Sequence, residues 1–250
     1  MEFFSEHFKK EHFLAGVDAR LKLLTAAFCL LLVLSYKGFV FPLFIILICT
    51  ILCIKMKVSF KSFILRYSEP AFIASVLVLL KFFFSGTDPL FTLDMEILTL
   101  TGYKDGLAEG LMLAVRIIAA VSVIIVLGFS TPFTGIMAGL SWFKVPRTLI
   151  EITMFAYRYI FVLLEDAIII YNAQKNRLGY SSIRRGIGSF STLAGSLVLK
   201  AFEHSQKTTI AMMQRGYDGN IPFLRQKPFK FFEVIISILF ITTLGVIWKI

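Results

Sequence analysis

Two short stretches of the chain end alike: Ala173-Gln174-Lys175-Asn176-Arg177-Leu178-Gly179-Tyr180 and Ala211-Met212-Met213-Gln214-Arg215-Gly216-Tyr217. Both read as Ala, three residues, Arg, then Gly-Tyr, with Leu178 interposed in the first. An arginine presents its N–H donors in a rigid planar fork that fits a carboxylate bidentately, so a repeated Arg is binding chemistry rather than catalysis. The structural reading is helix capping: Gly just past a helix end takes the left-handed conformation, and Arg in the last turn complements the negative end of the helix dipole. The functional reading adds that two such ends present two guanidinium groups, which a symmetric partner could grip.

Other chemistries find no support in the residues. No Gly-Lys dipeptide occurs, so the chain carries no phosphate-binding loop of the Gly-x-x-x-x-Gly-Lys type and is not expected to hydrolyse ATP itself. His7, His12 and His204 are the only histidines, and neither His-x-x-x-His nor Cys-x-x-Cys is present, so no transition-metal site is expected in this chain. Cys29, Cys49 and Cys53 all sit in apolar runs, where each behaves as a small hydrophobe. An Asp-rich diphosphate motif and a Gly-x-Ser-x-Gly elbow are also missing, and Ser141 reads as a helix-packing residue.

The elements that must position the two arginines are long helices. Pro146 to Arg177 reads as one helix whose polar residues Glu151, Arg158, Glu165 and Asn172 recur in steps of seven, along one slowly drifting stripe. Arg158 and Glu165 are expected to pair as buried framework. Phe190 to Arg215 carries Phe190, Leu193, Ala194, Leu197, Val198, Ala201 and Phe202 at helical spacing, with Ser196, Lys200, Glu203 and Lys207 opposite. Each helix would be about 40 Å long. With Arg147, Glu151, Arg158, Glu165 and Asp166 aboard, the first cannot cross lipid comfortably.

The remainder is membrane. Of the 250 residues 57% are apolar and 17% charged, and the mean hydropathy is +0.80, against about 45–50% and 25% in soluble domains. Apolar runs predict spans at Leu21 to Tyr36, Val40 to Ile54, Pro70 to Ser85, Leu107 to Gly128 and Phe231 to Trp248. The first two are short for a bilayer and are joined by a break at Lys37-Gly38 and Pro42. Thr131 to Trp142 could dip into the membrane, making the count five to six. The architecture is therefore all-α and polytopic, with three regions: membrane helices in 1–129, the long helices in 130–230 and a last span in 231–250. Lys9, Lys10, Arg20 and Lys22 before the first span, and Lys55, Lys57, Lys61 and Arg66 after the second, orient the N-terminus to the cytoplasm. Asp88, Asp94, Glu96 and Asp105 mark the following loop as outside. Of the formal charge of +10, residues 172–230 hold most, with ten basic and two acidic side chains. That segment faces acidic protein or lipid rather than nucleic acid. Arg116, inside the fourth span, is expected in a structural ion pair with Glu109 or an acid of the long helix.

At this point the sequence resembles the transmembrane T component of energy-coupling-factor transporters, and within it the CbiQ-like cobalt and nickel group. The resemblance rests on Val17-Asp18-Ala19-Arg20-Leu21-Lys22-Leu23-Leu24, Gly106-Leu107 to Arg116, Val145-Pro146-Arg147, Tyr157-Arg158-Tyr159, Leu163-Leu164-Glu165-Asp166 and Arg215-Gly216-Tyr217-Asp218-Gly219. The chain departs from the family pattern at Asn176-Arg177-Leu178, where Ala-Arg-Gly is usual, and at Ala19, where Pro is common. The resemblance implies a subunit of an ATP-driven importer in the inner or plasma membrane. Arg177 and Arg215 would transmit force from two ATP-binding-cassette ATPase subunits, with Ala173, Gly179, Ala211 and Gly216 letting the helix ends approach them closely. A small CbiM-like membrane subunit would take up cobalt, or nickel, while ATP and Mg would be bound by the ATPase and no cofactor by this chain. A vitamin-type substrate subunit, a stand-alone secondary transporter and a membrane-embedded enzyme remain as rival readings.

Overall fold

The computed structural model describes residues 16–56, 58–85, 89–95, 98–217 and 231–249. These form helices α1 (Ala19–Ser35), α2 (Val40–Lys55) and α3 (Phe60–Phe84), then strands β1 (Pro89–Met95) and β2 (Leu98–Tyr103). Helices α4 (Lys104–Ser130), α5 (Phe133–Trp142), α6 (Arg147–Asn176), α7 (Ile183–Gln214) and α8 (Phe231–Lys249) follow. The protein is an all-α membrane protein. Its two described strands pair antiparallel, with Thr92 opposite Thr101 and Asp94 opposite Thr99, in the loop between the third and fourth spans. The period-two alternation Phe91-Thr92-Leu93-Asp94-Met95 carries that hairpin in the sequence.

The chain divides into two compact units, 1–139 with 227–250 and 140–226. In the first, α1, α2, α4 and α8 surround one core in which Ala26, Cys29, Val33, Phe41, Ile45, Cys49, Ala119, Val123 and Leu244 are buried. All three cysteines are buried free thiols within such clusters, as their apolar surroundings predict. Among the described residues three helices are long and apolar enough to cross a bilayer: α4, α8 and the Phe63–Phe84 stretch of α3. Helices α1 and α2 have 17 and 16 residues, below the roughly 20 that span a hydrocarbon core. The expected start of the third span at Pro70 is corrected, because α3 begins at Phe60 and carries Pro70 inside it. A membrane helix tolerates an interior proline when neighbouring groups re-satisfy the freed backbone.

Charged residues at the start of α1 act as latches. The Asp18 carboxylate caps α1 by accepting the Arg20 N–H at 3.1 Å, while its own N–H donates to the Glu233 carboxylate of α8 at 3.1 Å. Lys22 Nζ donates to the Ser130 carbonyl at 2.9 Å, placing a cation at the negative end of α4. At the other end of α4 the packing is backbone on backbone. Gly106, Gly110 and Ala114 are buried at intervals of four, the small-residue stripe that lets membrane helices approach closely. A Cβ on Gly106 would lie 2.0 Å from the Ser85 carbonyl oxygen and 2.2 Å from that of Lys81, whereas one on Gly110 would lie 3.1 Å from Val78 Cα.

Gly106→Ala is therefore expected to destabilise the detergent-solubilised chain by about 1–3 kcal/mol, and Gly110→Ala by less. Thermal unfolding of the two variants checks the order, which reverses if the small-residue stripe does not set the α3–α4 approach.

Candidate functional site

The second unit is built from α6 and α7, joined by a turn at residues 177–182. The expected α7 start at Phe190 is corrected to Ile183, since Gly186 and Gly188 are accommodated in its first turns. Hydrogen bonds tie the two helices at three levels. Gln174 Nε2 donates to the Ser189 carbonyl at 2.9 Å; Asp166 accepts from Lys200 Nζ at 2.5 Å and meets His204 Nε2 at 3.2 Å; the Tyr159 and Thr208 hydroxyls bond one another. Partner numbers on α7 rise as those on α6 fall, so the pair is antiparallel. Lys200 first, then His204, hold the Asp166 carboxyl below its ordinary value by hydrogen bonding to the ionised form.

The seam corrects the polar stripe read from sequence by one residue. The seven-residue step is real, but the column in contact is Tyr159 and Asp166, about 100° round the helix from Arg158 and Glu165. Arg158 and Glu165 are exposed and, among the described residues, form no ion pair. Seven residues separate them by about 10 Å of helix rise, beyond the i, i+3 and i, i+4 neighbours that side chains reach. Glu151 instead pairs with Arg147 at 3.1 Å. The expected Arg116–Glu109 pair is also absent: Glu109 pairs with Lys81 at 2.9 Å, and Arg116 Nη2 donates to the Tyr36 carbonyl at the end of α1. A helix C-terminus offers unpaired carbonyls, so a buried guanidinium finds an acceptor there without a carboxylate.

Both arginines of the repeated ending sit at C-caps of identical form. After Arg177, Leu178 takes φ +57°, its N–H donating to Lys175 O at 3.0 Å and the Gly179 N–H to Gln174 O at 2.9 Å. After Arg215, Gly216 takes φ +77°, its N–H donating to Met213 O at 3.0 Å and the Tyr217 N–H to Met212 O at 3.0 Å. These paired bonds are the Schellman closure. Leu178 therefore corresponds to Gly216, which corrects the sequence alignment that matched Gly179 to Gly216. A leucine in the left-handed region costs roughly 1–2 kcal/mol. Gly179 is required for another reason, because a Cβ there would lie 2.6 Å from Ser189 Oγ and 2.9 Å from Gln174 O. Its carbonyl accepts the Ser189 hydroxyl at 2.9 Å, so it packs on α7 rather than facing outward.

Arg177, Arg215, Ala173, Ala211 and Gly216 are exposed, and Gly179 is half-buried. Because the helices run antiparallel, Arg177 lies at the turn and Arg215 at the opposite end of the pair. The α7 segment from Ser189 to Arg215 alone is roughly 40 Å long. Beside the Arg215 end, a groove of about 540 Å³ runs between α6 and α7, lined by Ile152, Phe155, Met212, Met213 and Tyr217 among others. Among the described residues no three His, Cys, Asp or Glu side chains converge. Sequence reading overlooked the Asp166–Lys200–His204 cluster; an acid on α6 and an i, i+4 Lys–His pair on α7 were the available signal.

Asp166→Asn is expected to lower the stability of the α6–α7 pair at pH 7. A carboxylate with a depressed folded pKa stabilises fully above its unfolded pKa, about 4, and loses that contribution as pH falls through the folded value. Acid melts of wild type and Asp166→Asn should therefore converge below about pH 4. Parallel curves throughout would remove Asp166 from the seam. Gly179→Ala, which drives a methyl into Ser189 and Gln174, should cost about 1–3 kcal/mol in the same assay.

Compared with known proteins, residues 10–226 match the family model described as CbiQ, cobalt transport protein. An uncharacterized protein of Methanocaldococcus jannaschii is 33% identical over 213 residues, covering 85% of this chain and 80% of that protein. A fused cobalt transport protein CbiMQ of Methanocorpusculum labreanum is 36% identical over 104 residues, 42% of this chain and 17% of that protein. The energy-coupling factor transporter transmembrane protein EcfT of Staphylococcus aureus is 32% identical over 155 residues, 53% of this chain and 58% of its own length.

Proposed function

The chain belongs to the CbiQ family of cobalt transport proteins, and from that membership we propose that it is the coupling subunit of an ATP-driven cobalt importer. Its α6–α7 pair engages two cytoplasmic ATPase subunits, one at each Arg end, and passes their motion to a small CbiM-like membrane subunit that takes up the metal. The observation that carries this reading is the pair of matching Arg-capped helix ends at opposite ends of one antiparallel pair. A single binding pocket has no use for two equivalent guanidinium groups roughly 40 Å apart; two copies of one subunit do. The relative named CbiMQ supports the CbiM-like companion, and the one named EcfT supports the energy-coupling class.

The geometry suits force transmission. The ties at Tyr159–Thr208, Asp166–Lys200 and Gln174–Ser189 hold the two helices as one body. Motion imposed at either Arg end then moves the pair together rather than unwinding one helix. The ten basic against two acidic side chains of residues 172–230 support a cytoplasmic face for this unit and, with the N-terminal basic residues, a cytoplasmic N-terminus in the plasma membrane. ATP and Mg belong to the ATPase partners in this reading, and cobalt, or nickel as the nearest substitute, to the membrane partner.

The test is retention of the ATPase during mild-detergent purification from the native membrane, paired with radioactive cobalt uptake in vesicles. Arg215→Ala is expected to weaken the coupling by a few kcal/mol, as loss of an interface arginine does. Arg177→Ala with Arg215→Ala should abolish both ATPase retention and ATP-dependent uptake. If that double variant keeps both at wild-type level, the arginines do not couple.

A further inference from the structure

The two helix ends share one backbone geometry but not one surface. At the Arg215 end the left-handed residue is glycine, and a Cβ there would meet nothing within 4 Å among the described residues. At the Arg177 end it is leucine, with 68% of its surface exposed despite the strained φ. The start of α7 continues the same character. Ile183, Ile187 and Phe190 are 86%, 67% and 65% exposed and, at i, i+4 and i+7, share one helix face. Charge accompanies this apolar face: residues 175–185 contain Lys175, Arg177, Arg184 and Arg185 with no acid, and all four are exposed.

An exposed leucine in the left-handed region, where glycine is free of strain, points to a function outside the chain's own packing. We propose that Leu178 is an apolar anchor which, with Ile183 and Ile187, seats in a hydrophobic socket rimmed by carboxylates on one ATPase subunit. This rests on the coupling function above and adds an apolar contact to the charge contact at the Arg177 end. The occupant is an acidic, partly apolar protein surface, because four clustered cations favour carboxylates and an aliphatic side chain gains from leaving water. The Arg177 end should then hold on at high salt, where exposed charge pairs are screened.

The experiment uses the whole chain, immobilised in detergent, with the ATPase that co-purifies with it from the native membrane, and reads the ATPase release rate in high salt. Leu178→Gly relieves the strain and removes the anchor; Leu178→Met keeps an apolar side chain of similar size. Leu178→Gly is expected to raise the melting temperature of the free chain and yet speed ATPase release about ten-fold, whereas Leu178→Met releases within about two-fold of wild type. Unchanged or slower release from Leu178→Gly would overturn the anchor and leave the coupling function intact. A lowered melting temperature in Leu178→Gly would also overturn it, by showing that the leucine packs within its own chain. If instead Arg177→Ala with Arg215→Ala retains the ATPase as wild type does, the coupling function itself has failed, and the anchor with it.

Discussion

Two long helices carrying charges and hydroxyls cannot lie side by side unless the polar atoms between them are satisfied, and in this protein Asp166 meets that constraint. Its two oxygens take Lys200 and His204 from consecutive turns of α7, between the Tyr159–Thr208 bond on one side and the Gln174–Ser189 bond on the other. An ionised carboxylate with two cationic or donor partners is far less costly between helices than one with none. The seam fixes the antiparallel register. The register in turn sends the Arg177 and Arg215 ends to opposite extremes, the separation on which the proposed pair of partner subunits rests.

How much of this the sequence disclosed differs by element, for physical reasons. Apolar runs located every membrane helix within a few residues, except that Pro70 was read as the start of α3, because proline's cost in water is larger than inside a packed membrane bundle. The seven-residue recurrence on α6 was visible, but not which of two adjacent columns faced α7. Periodicity determines spacing and leaves phase to whichever column finds partners, and only Lys200 and His204 on α7 resolve it in favour of Asp166. The repeated Arg ending was legible outright, yet its alignment was not. A left-handed leucine is too rare to be assumed, so Gly179 attracted the role that Leu178 performs, while its real duty is contact with Ser189.

Arg116 follows the same logic inside the membrane unit. An isolated charge in a span asks for a carboxylate when only sequence is in view. The structure supplies the end of α1, where the Tyr36 carbonyl faces no further helical N–H and can accept from the guanidinium. Glycine does the complementary work at Gly106, where α4 meets the backbone of α3 with no room for a methyl. Framework and function thus separate cleanly. Asp18, Lys22, Gly106 and Gly179 serve the chain's own packing and Arg116 gives one guanidinium nitrogen to the end of α1, whereas Arg177, Leu178 and Arg215 are exposed.

That outward set is the basis for assigning the chain a partner of two-fold character, and stoichiometry tests it most directly. Native mass spectrometry of the complex released from its own membrane in mild detergent counts ATPase subunits per copy of this chain. Two ATPase subunits for each chain is the predicted result. One ATPase subunit per chain, or none together with ATP-independent uptake in vesicles, would contradict it.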